Sequence, residues 1–182
     1  NGLFDAVSAR EKLAEVYAVL NQVIKGEILR QNGDWVFATE QYEKPVNLEN
    51  LSAGLKSFAV IKFLLERGIL KERDVLVLDE PEIHLHPEWQ MTYAEIIVLL
   101  QKSFDLSIIV TTHSAHFLEA VDYFSKKHGV ERKCNYYLSS VEAGLASFEN
   151  VTHEQEKIYA QLVTPGMLLD KLKYEMECGD EE

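Results

Sequence analysis

Two short, uninterrupted apolar runs constrain the fold of this chain more than any other feature. They occupy residues 75–78 (VLVL) and 108–110 (IIV). Runs of this kind are typical of strands that are buried on both faces of a parallel sheet. Helical patterns follow the two runs at 87–101 and 115–127. The sequence therefore predicts an α/β fold, with a largely parallel sheet flanked by helices.

The first part of the chain predicts a helix followed by a small hairpin. Apolar residues recur at helical spacing across 3–24. Two β-prone runs, at 27–30 and 35–38, then flank an Asn-Gly pair, which favours the tight turn of a hairpin. The other predicted elements are a loop at 41–50, a helix at 55–67, strands at 135–139 and 146–151, and helices at 154–161 and 165–175.

Composition and charge exclude several classes of protein. The chain has 182 residues, with 18 basic and 30 acidic side chains and a net charge of -12, which disfavours non-specific binding to nucleic acid. Two cysteines do not make a disulfide framework. No apolar run is long enough to span a bilayer, and no signal peptide is visible. We expect a cytoplasmic protein without a membrane partner.

Two acidic residues, Asp79 and Glu80, directly follow the first apolar run. Ligands of open α/β sheets bind at the carboxyl ends of the strands, which is where these two side chains would lie. Adjacent carboxylates repel each other in a half-buried site, and a Mg²⁺ ion would offset that repulsion. The alternative is that the two acids cap the helix that follows.

Two further segments carry residues suited to binding phosphate. His113 follows the second run, and a neutral histidine can bond a phosphate or its attacking water, although it can also be an ordinary polar group in a loop. Ser52 and Gly54 lie where a helix begins, and the free N–H groups at such a position can bind an anion. The alternative for that segment is an ordinary N-cap, formed by Ser52 or Asn50.

Taken in order, these segments resemble the C-terminal half of ABC-type ATPases. Residues 51–54 (LSAG) resemble the signature loop, 75–80 (VLVLDE) the Walker B strand, and His113 the switch histidine. The segment 78–87 (LDEPEIHLHP) resembles AAA family ATPases of phage-defence and toxin–antitoxin systems and OLD-type nuclease ATPases, which are related to SMC and RecF-type ATPases. The resemblance covers 47–119.

The resemblance implies the C-terminal lobe of a P-loop NTPase-like fold that uses ATP and Mg²⁺. It implies that Asp79 coordinates Mg²⁺, directly or through water, and that Glu80 is the catalytic general base or water-orienting residue. His113, also catalytic, would contact the γ-phosphate region. Ser52 and Gly54 would contact the γ-phosphate bound by the opposite subunit. Each site would then be built by two subunits of a head-to-tail homodimer.

One motif of these ATPases has no match in the sequence. The pattern Gly-x-x-x-x-Gly-Lys-Ser/Thr of the Walker A loop does not occur. We therefore expect a missing N-terminal lobe that carries this loop, and we expect residues 1–182 alone to be inactive as an ATP hydrolase. Ala53 replaces a frequent glycine of the signature loop, and no role is assigned to Lys56, His84 or His86.

The sequence predicts that the chain is organised in three segments. They are a helix and hairpin at 1–46, the ABC-type ATPase lobe at 47–151, and C-terminal helices with an acidic tail at 152–182. The resemblance implies an ATPase that serves phage defence, toxin–antitoxin function or DNA maintenance. Nucleic acid and an effector protein are its further candidate partners.

Two other functions stay open from the residues alone. His84, His86, His113 and His116 accompany the two acids, and imidazole with carboxylate can build the site of a metal-dependent hydrolase. A lobe without a Walker A loop can also be a non-catalytic regulatory or interaction module.

Overall fold

The computed structural model describes the backbone of residues 2–40 and 42–179 and the side chains of 13–40 and 42–176. The chain divides into two compact units. The first comprises Asn1–Thr112 with His116–Val130, and the second comprises His113–Ala115 with Glu131–Glu182. The division predicted from the sequence, after residues 46 and 151, stays a prediction.

A helix and a small antiparallel sheet begin the first unit, as predicted. The elements are α1 (Gly2–Val23), β1 (Glu27–Gln31) and β2 (Asp34–Ala38). Asn32 and Gly33 both have positive φ, at 53° and 96°, which is the backbone of a two-residue hairpin turn. This confirms the predicted hairpin.

The predicted loop at 41–50 is wrong for its second half. Val46–Asn47 forms a short strand, β3, that pairs with β2, and Leu48–Asn50 forms a turn of 3-10 helix. The pairing satisfies backbone groups along the free edge of β2. The local sequence of 41–50 does not reveal that this stretch pairs with β2, so its polarity predicted a loop.

The remaining elements of the first unit alternate between strands and helices. They are α2 (Ala53–Glu66), β4 (Val75–Asp79), α3 (Pro87–Phe104), β5 (Ser107–Thr111) and α4 (Ala115–Lys127). Strands β4 and β5 are parallel, with Val75 opposite Ser107 and Asp79 opposite Thr111. The chain therefore has the predicted α/β fold, with a parallel pair of strands flanked by helices, and both strands end at the same edge.

Helix α3 lies at the centre of the hydrophobic core. Both α1 and β5 pack against it. Its five consecutive residues 96–100 are all buried, so its buried surface extends around more than one face. Pro87 occupies its first turn, where the missing N–H costs nothing, and Asp105 ends it in the left-handed conformation.

A buried lysine joins α2 to the end of α1. Lys62 is 4% exposed, and its Nζ donates to Asn21 Oδ1 and to the carbonyl of Ile24, both at 3.2 Å. Burial lowers the pKa of Lys62 because the charged amine loses hydration. The two hydrogen bonds offset part of that loss and fix the two helices against each other.

The prediction that both strands are buried on both faces is wrong. On one face Val75, Val77 and Ile109 are 66%, 62% and 57% exposed, whereas the alternate residues Leu78 and Val110 pack against the core. An apolar run identifies a strand that suits burial, but it does not identify what covers each face.

The second unit contains an antiparallel hairpin and a long helix. Strands β6 (Tyr137–Glu142) and β7 (Leu145–Asn150) lie near the two strands predicted there. The two predicted C-terminal helices are instead one helix, α5 (Glu156–Gly179), that continues through Pro165. A proline inside a helix removes one backbone hydrogen bond, and on an exposed helix water can replace it. The predicted acidic tail after Gly179 lies outside the described residues.

Over the described ranges, no helix combines the length and the apolar character that a bilayer-spanning helix needs.

Phe58 makes the packing of α2 on α3 testable. Its side chain is fully buried, and its ring meets those of Trp89 and Tyr93 edge-on, at centroid distances of 5.8 and 5.2 Å. Phe58→Ala leaves a cavity in this cluster, so we expect it to lower the free energy of unfolding by about 3–5 kcal/mol in urea titrations. Val60→Ala is the control, since Val60 is 55% exposed on the same helix and should change the value by about 0.5 kcal/mol or less. Equal losses in the two variants would contradict the packing.

Candidate active site

Thr111 joins the two acidic residues at the ends of the parallel strands. Its Oγ1 donates a hydrogen bond of 2.5 Å to Asp79 Oδ1, the residue directly opposite it in the sheet. The same Oγ1 accepts a bond of 3.1 Å from the backbone N–H of Glu80. One hydroxyl therefore fixes the side chain of the first acid and the backbone of the second.

The backbone of Glu80 is held in an unusual conformation. Its φ is +45°, a left-handed value that costs a residue other than glycine about 1–3 kcal/mol. Its N–H also donates to the carbonyl of Thr111 at 3.2 Å, and its own carbonyl accepts from the N–H of Ile83 at 3.2 Å. The surrounding bonds thus maintain a conformation that the residue does not favour, and strain of this kind concentrates at functional sites.

Glu82, two residues further on, is a buried acid. It is 3% exposed, its carboxylate accepts a hydrogen bond from Thr112 Oγ1, and its Oε2 has no hydrogen-bond partner among the described residues. Burial raises the pKa of Glu82, the bond from Thr112 opposes this, and the neighbouring charge of Glu80 raises the pKa further. The site therefore contains a third carboxyl, and its pKa lies above the usual range of a glutamate.

The predicted signature segment lies at the start of α2. Ser52 is the N-cap of the helix, with its Oγ accepting from the N–H of Leu55 at 3.4 Å, so the N-cap interpretation holds for its hydroxyl. Gly54 lies so close to the 80–86 segment that a Cβ on it would be 2.9 Å from the carbonyl oxygen of His84. The start of α2 and this segment are in direct backbone contact.

The structure brings together some of the predicted residues and leaves others apart. Asp79 and Glu80 share Thr111 as a hydrogen-bond partner, whereas Gly54 lies beside the backbone of His84 and Ser52 caps α2. His113 belongs to the second unit, so its predicted role stays a prediction. The side chains of His84 and His86 are exposed. Among the described residues, no three or more His, Cys, Asp and Glu side chains form a group that could hold a metal ion.

The residues present fit a Mg²⁺ ion that is bound with ATP. Mg²⁺ in nucleotide sites takes one or two carboxylates, with phosphate and water as its other ligands. Asp79 supplies an exposed carboxylate at the strand end, and Thr111 already fixes one of its oxygens. The second oxygen is the donor that such an ion would use.

Sequence reasoning missed three residues of this site, which are Thr111, Thr112 and Glu82. Each acts through a hydrogen bond to a residue about thirty positions away in the chain. A pattern in the sequence could have identified them: one predicted strand is followed by two acids, and the next by two threonines. Parallel neighbours place such residues at one edge of a sheet.

Gly54 gives a test of the contact between α2 and the 80–86 segment. Alanine favours a helix over glycine by up to about 1 kcal/mol, yet here its Cβ would press on a backbone oxygen. We expect Gly54→Ala to lower the melting temperature. Gly166→Ala on α5, where no atom lies within 4 Å of the added Cβ, should leave it unchanged or raise it. A rise in both variants would mean that the close approach is absent.

Glu82 predicts a pH dependence of stability. A raised pKa means that the folded chain keeps a proton that the unfolded chain releases above about pH 4.5, so stability falls as the pH rises through the folded pKa. Glu82→Gln has no such proton to lose. We expect the melting temperature of Glu82→Gln, relative to wild type, to increase from pH 4.5 towards neutral pH. A difference that is constant across this range would contradict the raised pKa.

Two curated proteins share sequence with the chain over most of its length. The mRNA export factor elf1 of Schizosaccharomyces pombe is 28% identical over 132 residues, which is 70% of this chain and 11% of that protein. The Septu protein PtuA of Bacillus thuringiensis is 32% identical over 124 residues, which is 60% of this chain and 30% of that protein. The chain thus spans about a tenth to a third of the length of these relatives.

A solved structure shares the fold. It comes from work on ATP-driven dimerization and DNA-stimulated activation of SMC ATPases. It matches with a TM-score of 0.56 at 16% identity and covers 81% of this chain and 86% of that one. At this identity the match establishes an SMC ATPase head-like fold, in agreement with the predicted fold class.

A family model matches residues 7–119, which is more than half of the chain and includes the acids, both threonines and the start of α2. The family is described as "AAA domain, putative AbiEii toxin, Type IV TA system". The predicted branch of ABC-type AAA family ATPases is thereby confirmed, and the chain belongs to this AAA domain family.

Proposed function

We propose that the chain is the C-terminal lobe of an ATPase that hydrolyses Mg-ATP at the interface of a head-to-tail homodimer. The observation that carries the proposal is the hydroxyl of Thr111, which binds both Asp79 and the backbone of Glu80 where two parallel strands end. Nucleotides bind at this edge of α/β sheets. A fixed pair of acids at that position suits phosphoryl transfer, in which catalysis is mostly positioning and electrostatics.

The two acids have different tasks in this proposal. Asp79 holds Mg²⁺, directly or through water, and the bound ion supplies positive charge next to the phosphates. Glu80 orients the attacking water and accepts its proton. The strained backbone of Glu80 supports this role, because its conformation is maintained by three hydrogen bonds rather than by its own preference.

The second subunit completes the site across the dimer interface. Ser52 and Gly54 lie at the N-terminus of the fourteen-residue helix α2, where free N–H groups favour an anion. In the proposal they contact the γ-phosphate of the ATP that the opposite subunit holds. His113 contacts the γ-phosphate region within its own subunit, and ATP joins the two subunits.

A further lobe with the Walker A loop completes the nucleotide pocket. The exposed apolar face of the parallel pair supports this part of the proposal, because three large apolar side chains on two adjacent strands favour a covering layer. Phosphate binding needs the Walker A lysine and backbone, which residues 1–182 do not contain. Residues 1–182 alone are therefore inactive in the proposal.

The family supports the biological setting that we propose. Its description names a toxin of a type IV toxin–antitoxin system, and one relative is the Septu protein PtuA. We place the ATPase in the cytoplasm, serving toxin–antitoxin function, phage defence or DNA maintenance. An effector protein or nucleic acid receives the motion that hydrolysis drives.

Glu80→Gln tests the proposed function. The amide can fill the same space but cannot accept the proton, so we expect the turnover of Mg-ATP to fall by about a hundredfold or more. The measurement uses the polypeptide that contains residues 1–182 together with its Walker A lobe. Light scattering with ATP should show that the variant stays a dimer after wild type has returned to monomer.

Glu88→Gln is the matched control, since it removes the same charge from an exposed position in the first turn of α3. Its turnover should equal that of wild type, and residues 1–182 alone should show none. Wild-type turnover in Glu80→Gln would overturn the catalytic assignment. An absence of both turnover and ATP-dependent dimers in wild type would leave the interaction module as the better function.

A further inference from the structure

Thr111 carries a hydroxyl that its place in the fold does not require. It is the last residue of β5 and lies directly opposite Asp79, the last residue of β4. Both side chains are exposed, so core packing does not bring them together. A valine would suit a strand equally well. The hydrogen bond of 2.5 Å from Thr111 to Asp79 is therefore the feature that sets this threonine apart.

The hydrogen bonds around the Thr111 hydroxyl allow one arrangement of its proton. The backbone N–H of Glu80 can only donate, so the hydroxyl accepts from it, at 3.1 Å. An ionised carboxylate can only accept, so the single proton of the hydroxyl points to Oδ1 of Asp79. The stiff χ1 of threonine fixes the position of the hydroxyl oxygen. Oδ1 of Asp79 is therefore occupied by the protein, and Oδ2 is the oxygen that can face an ion or its water.

The number of free oxygens on a carboxylate matters more to Ca²⁺ than to Mg²⁺. Ca²⁺ takes about six to eight oxygen ligands in a flexible geometry, and it can bind both oxygens of one carboxylate. Mg²⁺ is smaller, requires an octahedral arrangement and keeps several waters among its ligands. A carboxylate with one occupied oxygen therefore suits Mg²⁺ and withholds a ligand from Ca²⁺.

We propose that Thr111 is a specificity-determining residue: its hydroxyl occupies Oδ1 of Asp79 and thereby favours Mg²⁺ over Ca²⁺ at the strand end. This inference rests on the proposed function, in which Asp79 holds the Mg²⁺ that is bound with ATP. Asp79 supplies the negative charge, and Thr111 limits it to one oxygen. The same hydroxyl bonds the N–H of Glu80, so one group fixes both the ligand of the ion and the backbone of the residue that orients water.

Thr111→Val removes the hydroxyl and keeps the shape of the side chain. The N–H of Glu80 retains its bond to the carbonyl of Thr111, at 3.2 Å, and valine suits a strand, so we expect the variant to fold. Thr111→Ser keeps a hydroxyl at the same position. Thr92→Val is the matched control, because the hydroxyl of Thr92 donates within α3, to the carbonyl of Glu88 at 3.1 Å.

Competition for bound Mn²⁺ measures the preference between ions without turnover. The sample is the polypeptide that contains residues 1–182 and its Walker A lobe, with ADP, and electron paramagnetic resonance reports the Mn²⁺ that Mg²⁺ or Ca²⁺ displaces. Loss of a group that hydrogen-bonds a metal ligand changes metal affinity by about 10–100-fold. We therefore expect the preference for Mg²⁺ over Ca²⁺ to fall about tenfold or more in Thr111→Val.

The other variants show whether the hydroxyl is responsible. The preference in Thr111→Ser should stay within about threefold of wild type, since the hydrogen bond to Asp79 remains, and Thr92→Val should equal wild type. The same preference in wild type and Thr111→Val would overturn the proposal. So would an equal loss in Thr111→Val and Thr111→Ser, or a wild type that binds no Mn²⁺ with ADP.

Infrared spectra test the mode of binding in wild type itself. Carbon-13 labelling of aspartate shifts its carboxylate stretching bands, and the Asp79 band is assigned by its loss in Asp79→Asn. With Ca²⁺ and ADP, we expect the band of a carboxylate that binds through both oxygens in Thr111→Val and not in wild type. Such a band in wild type would contradict the proposal, even if Thr111→Val did not fold.

Turnover separates this proposal from the proposed function. The Mg²⁺ concentration that gives half-maximal turnover of ATP should rise about tenfold or more in Thr111→Val and stay near the wild-type value in Thr111→Ser. If wild type hydrolyses no ATP, the proposed function fails, while the Mn²⁺ competition and the infrared spectra with ADP still decide the role of Thr111. Wild-type turnover together with an unchanged ion preference in Thr111→Val would leave the function standing and reject the role of Thr111.

Discussion

The burial of helix α3 is the constraint on which the rest of the first unit depends. This helix packs against α1 and β5, and its middle turns are enclosed. Because it begins at Pro87, directly after the 80–86 segment, its fixed position also determines where that segment can lie. The site thus derives its rigidity from a hydrophobic helix that contains none of the proposed catalytic residues.

Hydrogen bonds at the ends of β4 and β5 hold the acidic side chains in a defined arrangement. Two consecutive threonines, Thr111 and Thr112, each donate to a different carboxyl. A threonine hydroxyl has one donor, and the stiff χ1 of the side chain fixes the position of the oxygen that carries it. The arrangement places the carboxyl of Asp79 where it is exposed and that of Glu82 where it is buried, and burial raises the pKa of Glu82.

Local pattern was enough to predict most elements but not their neighbours. The apolar run of β4 and the Asn-Gly turn after β1 could be predicted from the sequence, because each depends on residues that are adjacent in the chain. Three other features depend on residues that are neighbours in space rather than in the chain. They are strand β3, the exposed face of the parallel pair, and the continuity of α5 through Pro165. Glu82 was missed for the same reason, since its partner Thr112 is thirty residues away. The two acids were found because they are adjacent and end a strand.

The close approach of Gly54 to the carbonyl of His84 has a mechanical consequence. The atom nearest to an added Cβ there is a backbone oxygen, which cannot move aside by a change of rotamer, while the side chains of Leu85 and Trp89 lie farther away, at 3.4 and 3.5 Å. A shift at the first turn of α2 would therefore press directly on the carbonyl of His84. The start of α2 and the 80–86 segment are thus mechanically coupled, and a force on one of them acts on the other.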